Sequence, residues 1–126
     1  MRNISFALTT AQILDRSKTV TRRLGWCGLT PGTVLCAVEK SQGLGKGGKV
    51  RRLGQIRVVD VRREPLRVLH GTSYGDAEST REGFPTMSGE QFAAVFCDHM
   101  GVGLDTIVTR IEFEHLGEPQ QPEGGA

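Results

Sequence analysis

A lysine and a threonine three residues apart, followed at once by two arginines, form the chemically densest stretch of the chain: Ser17-Lys18-Thr19-Val20-Thr21-Arg22-Arg23. A threonine hydroxyl is a weak nucleophile until a neighbouring base removes its proton, and an amine can be that base only when it is neutral. On a uniform strand Lys18 and Thr21 face opposite sides, whereas on a uniform helix they share one. The residues before Ser17 have helical character and those after it are β-like, so a corner at Lys18 can turn both side chains into one cleft. Thr19 and Thr21 then share one strand face, and Val20 and Arg22 the other. The plainer reading leaves Lys18 as a solvated cation at a helix C-terminus and the threonines as ordinary strand residues. Arg23 also has two readings: a ligand for a carbonyl or phosphate, or half of a structural ion pair with one of the acids in the C-terminal part of the chain.

The elements that must hold this corner are legible from periodicity. Ile4, Phe6 and Leu8 alternate on one side of a predicted strand. A short helix follows, with Thr9 and Gln12 in the spacing of a capping box and Ile13 and Leu14 as its apolar face. The turn at Pro31-Gly32 feeds a strand over 34–39, which the glycine-rich run 41–48 breaks. Another strand is expected over 52–62, with Ile56, Val58 and Asp60 on one side and Val59 and Val61 on the other, so each face is partly buried. The polar segment 73–82 predicts a short helix closed by Gly83. Ser88 and Gln91 mark a second capping box, after which Phe92, Val95, Phe96 and His99 or Met100 recur at three- and four-residue steps, a face assigned to the core. Ile107, Thr109, Ile111 and Phe113 alternate against Val108, Arg110, Glu112 and Glu114, the clearest amphipathic strand. Residues 1–116 therefore read as one α+β domain with two or three short helices on a curved antiparallel sheet, and 117–126 as a disordered tail. Closing the sheet into a barrel would remove its edges.

Composition bounds the possibilities. A chain of 126 residues, 37% hydrophobic and 24% charged, can bury a core of its own and is not wholesale disordered. No apolar run approaches the roughly 18 residues of a membrane span, no signal-peptide layout opens the chain, and a cytoplasmic location is expected. Cys27, Cys36 and Cys97 are widely spaced, as are His70, His99 and His115, so neither a metal site nor a disulfide framework is indicated. Fourteen of the Lys and Arg residues fall within 1–67 against four Asp or Glu, while 68–126 carries two against ten. The basic stretch from Lys40 to Arg67 suits an anionic partner such as RNA, unless the two halves neutralise each other in the folded domain.

The order of these features, with Lys-Thr-x-Thr-x-Arg at 18–23 and Glu82-Gly83 ahead of the later helix, resembles the ASCH domain family, small proteins with a PUA-like β-barrel. The likeness covers about Ile4 to Phe113 and departs from the family at Ser17 and in the glycine-rich insertion. Within the family, the Lys-x-x-Thr pair is similar to that of bacterial amidohydrolases that remove acyl groups from the exocyclic amine of cytidine. The resemblance implies Lys18 as proton acceptor, Thr21 as nucleophile and Glu82 as proton donor, with no cofactor and no metal. An unperturbed lysine is neutral in only about one molecule in 2,500 at pH 7, so this chemistry needs roughly 4 kcal/mol of destabilisation of the Lys18 cation. Burial and the nearby arginines act in that direction. A pyrimidine substrate also needs a flat slot, for which Phe6, Trp26 and Phe84, with Arg23, are the candidates beside their alternative roles in the core. The competing class is a non-catalytic RNA or modified-nucleobase reader. A nuclease is disfavoured because no histidine pair lies near the motif.

Overall fold

The structure, a computed structural model, describes residues 1–40 and 50–117. The glycine-rich break, with Lys46 and Lys49, lies outside the described residues, as does the tail beyond Gly117. Five strands form one sheet: β1 (Asn3–Ser5), β2 (Val20–Arg23), β3 (Val34–Val38), β4 (Arg52–Pro65) and β5 (Ile107–Gly117), in the order β1-β3-β4-β5-β2. Three helices accompany it: α1 (Thr10–Leu14), α2 (Ser73–Arg81) and α3 (Gly89–Met100), with single 3₁₀ turns at Ala7–Thr9 and Leu66–Leu69. This is the expected α+β class, with two corrections. The sheet is mixed, because β1 pairs parallel to β3 while the other pairs are antiparallel. It is curved but not closed into a barrel, since β1 and β2 stand at opposite ends of the strand order.

Curvature comes from β4. Its register shifts between Gln55 and Ile56 and again between Val58 and Asp60, and such bulges add twist and bend the strand. The first half of β4 pairs with β3 and most of its length with β5. β5 contributes to two cores: Ile111 and Phe113 join the one under β1, β3 and α1, whereas Val108, near its start, joins the one with Leu66, Leu69 and Phe92, and towards its end Glu114 and Leu116 are exposed. The predicted alternation fails accordingly at its start, where Val108 and Arg110 are buried and Ile107 is exposed.

Other local expectations meet tertiary competition. β1 ends at Ser5, and the following 3₁₀ turn leaves Leu8 68% exposed, so Leu8 does not continue the Ile4 and Phe6 face. The Thr9 side chain makes no capping bond, and the Gln12 side chain, instead of returning to Thr9 N, reaches across to donate to Gly83 O at 3.2 Å. The second box forms as expected: the Ser88 hydroxyl accepts from Gln91 N, and Gln91 Oε1 accepts from Ser88 N.

The starts of α2 and α3 cross closely over the 3₁₀ turn. A Cβ on Gly75 would lie 1.9 Å from Leu69 O, and one on Gly89 would lie 2.5 Å from the Gly75 Cα. Alanine for glycine normally stabilises a helix by up to ~1 kcal/mol. Here Gly75→Ala is expected to reverse that sign and destabilise the fold by about 2 kcal/mol or more, read as a lower urea midpoint at unchanged slope.

Candidate active site

Where α1 gives way to β2, the chain corner is fixed by backbone groups. Lys18 N donates to Gln12 O at 3.2 Å, Thr19 N to Arg81 O at 2.8 Å, and Phe113 N to Thr19 O at 2.9 Å. His115 Nε2 donates to Lys18 O at 2.7 Å. Held in this way, the Lys18 side chain turns inward, 3% exposed, and its ammonium donates at 2.8 Å to both Glu82 Oε1 and Glu82 O. Glu82 is the C-cap of α2, so the ammonium also meets the negative end of a helix. Burial pushes the Lys18 pKa below the ordinary lysine value; Glu82 opposes this without cancelling it, and Arg23 and Arg22 add to it.

Thr21 and Arg23 lie two apart on β2 and share its face. Arg23 Nε donates to Thr21 Oγ1 at 3.0 Å and its Nη2 to Ser5 O at 2.6 Å, while the guanidinium lies 4.9 Å from the centre of the Phe6 ring. These residues border a cleft of about 290 Å³. Lys18, Thr21 and Glu82, all buried, give it a polar base; Phe6, Phe84, Phe92 and Phe96 contribute aromatic surface, and exposed Leu8, Val95 and Met100 mark its mouth. A mainly apolar cleft with a few convergent polar groups is the usual form of a small-molecule site.

Arg22 also borders the cleft, but its guanidinium is engaged in a buried ionic network. It donates to Glu82 Oε2 at 3.0 Å, to Glu64 Oε2 at 2.7 Å and to Glu78 Oε1 at 2.5 Å. Glu78 is also bonded by Arg110 and by Arg81, and the Tyr74 hydroxyl donates to Glu64 at 2.8 Å. Burial lowers the Arg22 pKa, but the three carboxylates outweigh it and raise the pKa above the ordinary arginine value. For Glu78, burial pulls the pKa upward, yet hydrogen bonds from Arg110, Arg81 and Arg22 prevail and hold it at about 2.

Six of the seven residues singled out from the sequence line the cleft: Lys18, Thr21, Glu82, Phe6, Arg23 and Phe84. Trp26 does not. Its backbone is left-handed at φ 58°, its ring packs partly against the sheet core, and Arg2 lies 3.7 Å over it. The face of α3 assigned to the core divides in the structure: Phe92 is buried, while Val95 and Met100 are exposed at the cleft. Sequence reasoning missed Glu64, Tyr74, Glu78 and Arg110, and the bridging role of Gln12. The one local signal was Glu78 and Glu82 at helical i, i+4 spacing, which puts two carboxylates on one face of α2. Within the stretch from Lys40 to Arg67, Arg51 pairs with Glu39 at 3.2 Å, Arg57 with Glu114 at 3.4 Å and Arg67 with Asp105 at 2.9 Å. Among the described residues, no group of three His, Cys, Asp or Glu side chains is placed to hold a metal, and no helix is long and apolar enough to cross a membrane.

No protein-family model matches the chain, and no curated protein matches it. Solved structures do. The ASCH domain from Lactobacillus crispatus JV V101 superposes with a TM-score of 0.53 at 14% identity, over 93% of this chain and 80% of that one. The fold is that of an ASCH domain. Protein EF3133 from Enterococcus faecalis V583, whose family model is DUF984, shares it with a TM-score of 0.64 at 13% identity, over 95% of this chain and 82% of that one. In the present ASCH fold the opening between β2, the C-terminus of α2 and α3 is the cleft described above.

The network makes stability depend on acid. With Glu78 held at about 2 against an ordinary 4.5, its ionised form stabilises the fold fully above 4.5, and that stabilisation disappears as the pH falls towards 2. Thermal melting is expected to show a loss across this window that Glu78→Gln lacks. At neutral pH Glu78→Gln itself should be less stable by about 3–5 kcal/mol, because Arg22 and Arg110 lose a buried counter-charge.

Proposed function

We propose that the chain is a metal-independent amidohydrolase that removes acyl groups from the exocyclic amine of N4-acylated cytosine or cytidine. The observation that carries this reading is the convergence of Lys18, Thr21 and Glu82 at the buried end of one aromatic cleft. A proton passed along the 2.8 Å hydrogen bond from Lys18 to Glu82 Oε1 leaves a neutral amine and a carboxylic acid. The drop in the Lys18 pKa on burial favours that exchange. Lys18 then takes the Thr21 proton as Oγ1 attacks the acyl carbon, and the acid form of Glu82 protonates the departing cytosine amine as the C–N bond breaks. Acyl-threonine and an ionised Lys18–Glu82 pair remain. The same exchange frees Lys18 to deprotonate water, whose attack releases the carboxylic acid while Thr21 recovers its proton from Glu82. The pyrimidine ring lies against Phe6 and Phe84, which offer flat apolar faces for its own.

The test is release of free amine from acylated cytosine, cytidine and deoxycytidine by the purified chain. Thr21→Ala is expected to lower kcat/KM by at least ~10³-fold with circular dichroism unchanged, and Lys18→Met and Glu82→Gln by ~10²–10⁴-fold, read at a temperature where circular dichroism shows each variant folded, because both also unbalance the buried ionic cluster. Full turnover by Thr21→Ala would rule out the nucleophile. Salt-sensitive retention of RNA without turnover of any acylated cytosine would replace the hydrolase with a binding module.

A further inference from the structure

Two consecutive arginines have opposite electrostatic situations. Arg22 is neutralised by three carboxylates, whereas among the described residues no carboxylate forms an ion pair with Arg23. The Arg23 donors go to neutral groups, the Thr21 hydroxyl and the Ser5 carbonyl, and its face lies over the Phe6 ring. Its cation is therefore held in a fixed orientation on the oxygen that the proposed reaction makes anionic.

Resting on the hydrolase reading above, we infer that Arg23 is a catalytic residue, whose Nε–H activates Thr21 by stabilising the alkoxide as the hydroxyl proton leaves for Lys18. The bond is present in the resting state but strengthens when its acceptor becomes charged, which is the differential gain that speeds a reaction. Arg23 gives up no proton. Once Oγ1 is acylated it becomes an ester oxygen and a poorer acceptor; when water attacks, the departing alkoxide regains the charged donor. Burial lowers the Arg23 pKa to about 10, with Glu82 opposing, so the guanidinium is still charged at neutral pH. The other charged or titratable groups facing the cleft are Lys18 before β2, Arg22 on β2, Glu82 at the end of α2 and His99 on α3. All of them are unchanged in the comparison that follows.

The experiment reads the charge effect without any substrate. Thr21→Cys is prepared in the full chain with and without Arg23→Gln. Iodoacetamide alkylation at position 21 is followed against pH by peptide mass spectrometry, which separates it from Cys27, Cys36 and Cys97. The introduced thiol is expected to have a pKa roughly 1–2 units lower with Arg23 than without it. Equal values overturn the role, even if acylated cytidine is turned over. Conversely, a thiol pKa that depends on Arg23 in a chain that deacylates nothing retains the Arg23 role and removes the amidohydrolase. In the threonine enzyme Arg23→Gln should cost ~10²-fold or more in kcat, and in the Thr21→Cys background much less, because a thiolate forms without such help. Equal losses in both backgrounds would mark Arg23 as a positioning residue only. Should Arg23→Gln fail to fold, Arg23→Met carries the same comparison, since it also removes the charge and the Nε donor, and a thiol pKa identical to that with Arg23 would overturn the inference.

Discussion

A guanidinium with no exposed side-chain surface organises this molecule. Charge removed from water is costly unless it is paired and its hydrogen bonds are satisfied. Arg22 meets both conditions through Glu64 at the end of β4, Glu78 within α2 and Glu82 at the end of α2. With Lys18 and Arg110 included, three cations face three carboxylates in one buried cluster. The balance explains the unusual packing of α2. Its inward face carries Gly75, Glu78 and Ser79 rather than an apolar stripe, and ionic hydrogen bonds dock it where apolar side chains would be expected.

The chemistry of the cleft is a by-product of that balance. Glu82 divides its oxygens, Oε2 to Arg22 and Oε1 to Lys18, so the lysine is oriented by a carboxylate that is itself held in place. Strand alternation then separates the duties of adjacent arginines: Arg22 faces the network, and Arg23, sharing a face with Thr21, lies against the hydroxyl. A rigid ionic support on one side of β2 and a mainly apolar cleft bordered by the other is an arrangement in which a lysine can be dry yet still paired.

The position of α3 supplies the rest of the cleft. Phe92 anchors the helix in the core with Leu66, Leu69 and Val108, while the same apolar stripe continues past the core into open space at Val95 and Met100. A stripe of one composition thus does two jobs, and only its surroundings decide where the first ends. Trp26 shows the converse. It is near the motif in sequence, but a left-handed backbone turns it towards Arg2 and the sheet, away from the cleft.

Periodicity and turn chemistry in the sequence were enough to place β3, β4, β5, α2 and α3 to within a few residues, because apolar alternation, Gly83 and the Ser88–Gln91 box act locally. The corner at Lys18 and the segregation of Thr21 from Arg22 were legible for the same reason. The parallel pairing of β1, the open sheet, the partners of Arg22 and the diversion of Gln12 from its own helix to Gly83 were not, since each joins residues far apart in the chain. What the sequence determined by itself was which side chains share a local face. Which of those faces met water, apolar neighbours or opposite charge was decided by tertiary structure alone, because burial and Coulomb pairing depend on distances that local spacing does not set.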